Sequence, residues 1–351
     1  MTIEGDNSVA TDIGLKTTKK LKSSALKTVN WEELPAWQQD NHFIRTGYRP
    51  ASASFFKSFA SLVYLHNESV NIYSHLLGAI FFAIFGTFIY GYMADLHSFS
   101  YSYYLDIIMK GRHAVSNGVT PSIPITTLMS SSNELQVWSC FFAGAITCLA
   151  MSGTYHSISN HSPAVARWGN KMDYVGIICL IVGSFIPSIF YGFYCYPTLQ
   201  KLYWNMTPRL RSIQYFKTPK IFTLGLACTA VTVFDRFRTP AWRPYRATMF
   251  IAMGLSAIFP VIHGLKLYGL QGMQSRMGLK ELVLEGIFYI LGACLYAARW
   301  PERLNPGLFD IWGSSHQIFH ILVLIAAGFH FFSLRTAYNY HHRVVGTICV
   351  L

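Results

Sequence analysis

The chain has 351 residues, of which 52% are hydrophobic and only 13% are charged. Soluble domains carry about 25% charged residues, so this composition argues against an ordinary soluble domain and for a protein that is solvated by lipid. The formal net charge of +12 fits attraction to anionic lipid headgroups. The basic residues are scattered between apolar runs rather than gathered on one domain, so we expect no nucleic acid as a partner. The seven cysteines form no CxxC pair, so neither a disulfide framework nor a cysteine zinc site is expected.

In chain order, a polar segment comes first and a series of apolar runs follows. Residues 1–70 form the polar segment, which we interpret as a flexible tail and a juxtamembrane part with short helices. The apolar runs lie at 72–94, 135–157, 173–196, 220–235, 245–265, 281–300 and 315–338. A membrane span needs about 20 residues, and only the fourth run is clearly short of that length. The sequence therefore predicts an all-α integral membrane protein, with a seven-transmembrane helix bundle over 71–338 and a short C-terminal tail at 339–351.

The orientation follows from the basic residues of the loops. Those on the N-terminal side of the membrane are denser in positive charge, with Arg236, Arg238, Arg243 and Arg246 close together. The positive-inside rule therefore favours a cytosolic N-terminus. We expect a multi-pass protein of the endoplasmic reticulum or the plasma membrane.

Ionisable side chains inside the spans are costly, so each is a candidate functional residue. His316 and His320 are four residues apart and share one face of the seventh span, the spacing at which a helix offers two imidazoles to one metal. His156 ends the second span and Asp173 opens the third, and counting the crossings places all four groups at the same membrane face. Three imidazoles with an open fourth position suit zinc in a catalytic type of site. A neighbouring carboxylate can bond to a water at such a metal or act as its base.

Other polar residues in the spans are weaker candidates. Ser152 lies four residues before His156 and hence on the same face, although a lone serine in a membrane helix more often packs against a neighbouring helix. His75, His263 and His330 also lie within spans. We expect them to hydrogen-bond to neighbouring helices or to lie at the opposite face, and we do not count them as metal ligands.

The candidate residues stand in strings that resemble the progestin and adipoQ receptor (PAQR) family. These strings are Ser152-Gly-Thr-Tyr-His156, Lys171-Met-Asp173-Tyr-Val-Gly176, Pro301-Glu-Arg-Leu-Asn-Pro-Gly307, Ser315-His-Gln-Ile-Phe-His320, Asn71-Ile-Tyr-Ser-His-Leu-Leu-Gly78 and Gly183-Ser-Phe-Ile-Pro187. The resemblance runs from about Asn41 to Phe332. The long first loop at 95–134 is similar to that of the fungal adiponectin-receptor-like (Izh) branch.

The resemblance implies a seven-helix bundle with a cytosolic N-terminus and a zinc ion (Zn2+) held by His156, His316 and His320, with Asp173 bonded to a water of the metal. The same set of residues is also similar to that of a wider superfamily of membrane hydrolases that includes alkaline ceramidases, which would make Asp173 and Ser152 catalytic. The tail and loops, where an extracellular hormone would dock, depart from the receptors. We therefore expect membrane lipids as partners, ceramide-like or sterol in type, and no adiponectin.

Two other seven-span classes are excluded by the residues. A retinal protein needs a lysine in its last span, and 315–338 contains none. A G-protein-coupled receptor would carry Asp-Arg-Tyr at the end of its third span, whereas the similar string Asp235-Arg-Phe237 ends the fourth. Three functions remain open: a zinc-dependent lipid-amide hydrolase, a receptor in which zinc is a structural clamp, and a protein of zinc or sterol homeostasis. The sequence favours a receptor-like protein in lipid metabolism and zinc homeostasis signalling, with hydrolysis as the alternative.

Overall fold

The computed structural model describes residues 27–114, 126–206, 228, 234, 237 and 240–343. Within these residues the fold is helical and contains no strand, only an isolated antiparallel bridge between Val29 and Tyr48. The α-helices of the described part are α1 Phe55–Ala60, α2 Ser69–Ala114, α3 Thr126–Ile158, α4 Pro163–Gly192, α5 Pro197–Met206, α6 Arg243–Leu255, α7 Ile258–Met277, α8 Leu279–Ala298 and α9 Ser315–Arg343. The prediction of an all-α protein is confirmed for this part of the chain.

Six stretches of the described chain are long and apolar enough to cross a membrane. They are Ser69–Ala94, Asn133–Ile158, Pro163–Gly192, Arg243–Met277, Leu279–Ala298 and Ser315–His342. These six correspond to the predicted spans one, two, three, five, six and seven. The predicted fourth span, 220–235, lies almost entirely outside the described residues.

The fifth predicted span is interrupted where α6 ends and α7 begins. Pro260 lies in the first turn of α7. A proline has no N–H to donate and its ring clashes with the carbonyl four residues earlier, here that of Ser256. The helix therefore breaks at Ser256 and Ala257 and restarts at Ile258, as a proline inside a membrane helix permits.

The residues on either side of the undescribed stretch lie at opposite ends of the bundle. Gly192, which ends α4, lies against the side chain of Met277, which ends α7. Arg243, which begins α6, lies over the ring of Tyr296, near the end of α8. Because α6 and α7 run in sequence across the bundle, Arg243 and Met277 mark opposite ends. Gly192 and Arg243 therefore lie at opposite ends of the bundle, and the seventh crossing stays a prediction.

Helices α3 and α4 pack closely because glycines line their contact. A Cβ at Gly144 would lie 2.6 Å from the carbonyl oxygen of Cys179, and one at Gly183 would lie 2.6 Å from that of Cys140. Small residues of this kind let membrane helices approach each other closely. The close contact brings the last turns of α3, which carry His156, beside the first turns of α4.

Helix α9 is central to the bundle and contacts α2, α4, α7 and α8. Between α2, α3 and α9 lies the main apolar core, which includes the buried side chains Phe82, Phe141, Leu149, Ala327 and Leu334. Residues placed on the inner face of α9 therefore face several helices at once.

A polar cap covers one end of the bundle and is built from the segment 27–68 and the loop 299–314. The carboxylate of Asp310 accepts hydrogen bonds from the backbone N–H groups of Arg45 and Thr46, at 2.9 and 2.8 Å. The carboxylate of Glu302, which is fully buried, accepts from the side chain of Asn41 and from the backbone N–H of Ser315 at the start of α9. The cap thus holds the first turn of α9 in place.

One cysteine departs from expectation. Cys195, three residues after the end of α4, is disulfide-bonded, whereas the sequence predicts no disulfide framework. This cysteine lies past the end of a span, at a membrane face, where a thiol is not confined to the apolar interior. The other described cysteines, at 140, 148, 179, 228 and 294, are free.

Candidate metal centre

Three imidazoles converge beneath the polar cap. His316 and His320 lie one turn apart on α9, and His156 lies in the last turn of α3. The ring centroid of His156 lies 4.9 Å from those of His316 and His320, which are themselves 4.8 Å apart. One nitrogen of each ring lies within 4.8 Å of the corresponding atoms of the other two. The prediction that these histidines share one site is confirmed, and the site can hold a metal ion.

Hydrogen bonds outside the triad set which ring nitrogens face its centre. Nδ1 of His156 lies 2.8 Å from Oε2 of Glu68, and Nδ1 of His320 lies 3.1 Å from the carbonyl oxygen of Asn71. Each Nδ1 therefore donates a hydrogen, which leaves Nε2 with a lone pair. Nε2 of His156 is buried and has no hydrogen-bond partner among the described residues. A buried lone pair with an orienting carboxylate behind it is the usual arrangement of a metal-binding histidine.

Glu68 is a site residue that the sequence analysis missed. Burial alone would raise the pKa of Glu68, but attraction to His156 and the hydrogen bond from its ring outweigh burial and hold the pKa well below its usual range. Glu68 also accepts a hydrogen bond from Nδ2 of Asn71 at 2.7 Å. The available signal was an acidic residue immediately before an apolar run, because such a residue lies at the membrane face where the triad lies.

Arg49, in the polar cap, fixes the end of α3. Its side chain is almost completely buried and donates to the carbonyl oxygens of His156 and Ser157, at 2.5 and 2.9 Å. It also donates to the hydroxyls of Ser61 and Ser159. The last carbonyls of a helix have no partner within the helix and carry partial negative charge, so a guanidinium is well suited to bind them. Arg49 therefore holds the turn that carries His156.

Asp173 and Ser152 lie beside the triad. Asp173, in α4, is near enough to attract a charge on His156, and Ser152 is adjacent to Asp173. The hydroxyl of Ser152 is buried and has no well-formed hydrogen bond among the described residues. The structure thus brings both predicted residues to the site, and their catalytic roles stay predictions.

The three span histidines that were not counted as metal ligands have different surroundings. His75, in α2, stacks on His320 with ring centroids 3.7 Å apart, and both of its nitrogens are buried without a partner among the described residues. The expectation that it bonds to a helix or lies at the opposite face is therefore wrong. His263 and His330 hydrogen-bond to other helices as predicted, with Nδ1 of His263 2.7 Å from the Tyr203 hydroxyl and Nδ1 of His330 2.8 Å from Glu285.

A cavity of about 860 Å³ extends from the triad into the bundle. The three imidazoles, Asp173 and Ser152 line one end of it. Most of its remaining walls are apolar side chains of α4, α6, α7, α8 and α9, among them Ile181, Phe185, Phe250, Val261, Ile290 and Val323. A large, mainly apolar space with a few polar groups at one end is the form of a site for an amphiphilic small molecule.

Comparison with known proteins finds relatives that match most of the chain. The model of the haemolysin-III-related family matches residues 63–331. The chain is 37% identical to the ADIPOR-like receptor IZH2 of Saccharomyces cerevisiae, over 92% of this chain and 88% of that protein. It is 38% identical to the adiponectin receptor protein of Drosophila melanogaster, over 95% of this chain and 64% of that protein. It is 34% identical to the ADIPOR-like receptor IZH1 of Eremothecium gossypii, over 94% of this chain and 90% of that protein.

Proposed function

Because this chain belongs to the haemolysin-III-related (progestin and adipoQ receptor) family, we propose that it is a receptor-like membrane protein that holds a zinc ion inside the bundle and acts in lipid metabolism. The observation that carries the proposal is the convergence of three imidazoles, of which those of His156 and His320 are buried and have Nδ1 hydrogen-bonded from behind. Imidazole ligands suit zinc, whereas magnesium and calcium prefer oxygen ligands. His156, His316 and His320 would hold the ion and leave one position open.

The cavity supports a lipid as the partner. Its walls are apolar over most of their length, and its polar end is the triad. An acyl chain would be buried along the apolar walls, and the polar head of the same molecule would lie near the imidazoles. In the receptor role the zinc would be a structural clamp that joins α3 to α9. Loss of the zinc would loosen the packing of these helices, so the packing of the bundle would depend on the zinc supply.

The position of Asp173 and Ser152 favours a second candidate function, the hydrolysis of a lipid amide such as ceramide. Zinc in this site would polarise the amide carbonyl and lower the pKa of a bound water toward ~7. Asp173 would accept a proton from the attacking water and return it to the leaving amine nitrogen, which releases a fatty acid and a free amine. The Ser152 hydroxyl, which has no well-formed partner in the described residues, would donate a hydrogen bond to the oxygen that gains negative charge.

The Asp173→Asn variant distinguishes the two roles. Asparagine keeps the size of the side chain but cannot accept a proton at neutral pH. If the protein is a hydrolase, the zinc-loaded variant loses ceramide turnover by about 10²- to 10⁴-fold while its melting temperature is retained. If zinc is a clamp, wild type and variant release the same background of fatty acid, and chelation lowers the melting temperature of both. Zinc-dependent turnover by the wild type would overturn the clamp.

We further propose that the polar cap faces the cytosol. Cys195 lies just beyond Gly192, at the end of the bundle opposite the triad, and disulfides persist in oxidising compartments. The string Asn205-Met-Thr207, a glycosylation acceptor, follows α4 on the same side of the third span. A mobility shift that is removed by a glycosidase and by Asn205→Gln would support this orientation. Protease digestion of the N-terminal tail from the exterior of intact cells would contradict it.

A further inference from the structure

The cavity has a second polar end, far from the triad. Glu285 and Tyr289 of α8 and His330 of α9 all line it. His330 is only 1% exposed, and its Nδ1 lies 2.8 Å from Oε2 of Glu285. Burying ionisable residues within a membrane span is costly, so the pair of Glu285 and His330 is a candidate functional site.

A contact that only joins α8 to α9 would not explain why other buried polar atoms nearby have no hydrogen-bond partner among the described residues. The contact between Glu285 and His330 uses one nitrogen of the imidazole. Nε2 of His330 and the hydroxyl of Tyr289 are buried and have no hydrogen-bond partner among the described residues. Leaving a buried polar atom without a partner costs about 1–3 kcal/mol per group, so a molecule in the cavity that bonds to both atoms would be favoured.

The two polar ends are separated by a well-defined length. His320 and His330 lie on the continuous helix α9, ten residues apart in sequence. At a rise of 1.5 Å per residue this separation is about 15 Å, which an extended carbon chain spans with about twelve carbons. Helix α8 gives a similar length, because Tyr296 packs on His316 at one end and Glu285 lies eleven residues earlier in the same helix.

We propose that Glu285, Tyr289 and His330 form a second subsite, which binds a hydroxyl group about twelve carbons along the chain of the lipid in the cavity. A hydroxyl both donates and accepts a hydrogen bond. It can donate to the lone pair of His330 Nε2 and accept from the Tyr289 hydroxyl. A carboxylate there would be buried beside the carboxylate of Glu285 without a counterion, which is costly. A neutral hydroxyl is therefore favoured over a carboxylate.

This inference rests on the proposed role of the cavity as a lipid site. Two ligands that differ only in one hydroxyl group test the second subsite separately from the lipid site. We would measure the binding of 12-hydroxyoctadecanoic acid and of octadecanoic acid to the purified zinc-loaded protein in nanodiscs. The hydroxylated acid is expected to bind about three- to tenfold more tightly, the value of one or two additional buried hydrogen bonds. A hydroxyl at carbon 7 is expected to give no such gain, because carbon 7 lies among apolar walls.

Two variants assign the gain to the subsite. Tyr289→Phe removes one hydroxyl and is expected to reduce the preference for the 12-hydroxy acid over octadecanoic acid. The double variant Glu285→Met with His330→Phe replaces the pair by apolar residues of similar size and is expected to abolish the preference. Tyr338→Phe, which changes a tyrosine outside the cavity, is the control.

The affinities of the two acids test both the lipid site and the second subsite. Equal affinities for both acids, or a preference that survives in both subsite variants, would overturn the second subsite and leave the lipid site standing. If neither acid binds the wild type, the lipid site and the subsite are both wrong.

Discussion

Glu68 and His156 connect the polar cap to the metal centre, with Oε2 of the carboxylate 2.8 Å from Nδ1 of the ring. Glu68 directly precedes α2 and His156 ends α3, so the contact joins two helices at one membrane face. The carboxylate sets the tautomer of His156 and increases the basicity of its Nε2.

The first prediction concerns that carboxylate. Glu68→Gln retains an oxygen that accepts from Nδ1 but removes the negative charge. We expect zinc affinity to fall by about 10- to 100-fold, the usual loss for an outer partner of a metal-binding histidine, as measured by competition with a chelating dye. Glu32→Gln changes an exposed glutamate of the cap and is expected to have no effect. An unchanged affinity in Glu68→Gln would show that His156 is oriented by other contacts.

The second prediction concerns Arg49, which binds the carbonyl oxygens of His156 and Ser157. Arg49→Lys keeps the charge but loses the planar fork that reaches several acceptors. We expect a loss of about 1–3 kcal/mol in stability, seen as a melting temperature lower by several degrees. Arg45→Lys, at an exposed cap position, is the control. Equal melting temperatures for the two variants would contradict the role assigned to Arg49.

The third prediction concerns the close contact of α3 and α4. In Gly144→Ala the new Cβ would meet the backbone carbonyl of Cys179, which cannot move aside as a side chain can. We expect destabilisation of about 1–3 kcal/mol, with weaker zinc binding because the end of α3 shifts. Gly328→Ala is the matched control, since a Cβ there meets no atom within 4 Å. If both variants melt alike, the helices do not depend on that glycine.

The fourth prediction is a pH dependence. Burial, with a smaller contribution from Arg49, lowers the pKa of His66 to about 4 from its usual 6.5, although Glu68 opposes the change. His66 accepts a hydrogen bond from the backbone N–H of Glu68 through Nδ1, so it is neutral in the folded protein. The pKa of His66 is lower in the folded protein than in the unfolded chain. The contribution of the neutral His66 ring to the free energy of unfolding is therefore complete above about pH 6.5 and is lost as the pH falls toward about 4.

The matching measurement compares melting temperatures between pH 7 and pH 4. His66→Asn keeps an acceptor near the position of Nδ1 but does not titrate, so its melting temperature should fall less over this interval than that of the wild type. His42→Asn, at an exposed position, should behave as the wild type does. A parallel fall in the wild type and His66→Asn would assign the acid sensitivity to other groups.

The sequence predicted the triad because its signals are local and periodic. The four-residue spacing of His316 and His320 and the count of crossings are both properties of helices in a membrane, and the structure brings His156 to the pair. The six described spans were predictable for the same reason, since each is an apolar run of sufficient length.

The partners of the site could not be predicted in this way. Asp310 bonds to Arg45 and Thr46 across more than 260 residues of sequence, and no local pattern marks a contact of that range. Glu68 precedes its span and meets His156 only once α2 and α3 pack. Cys195 lies in the last residues of an apolar run, where sequence alone does not separate a buried thiol from one at the membrane face.

The measurement that tests the central claim most directly is the metal content of the purified protein, determined by elemental analysis after dialysis against zinc. Three imidazoles and an open position predict about one zinc ion per chain. His316→Ala and His320→Ala should each lose most of it, the double variant should lose it entirely, and the exposed His42→Ala should keep it. Full zinc occupancy in the double variant, or a folded wild type that takes up no zinc, would contradict the account.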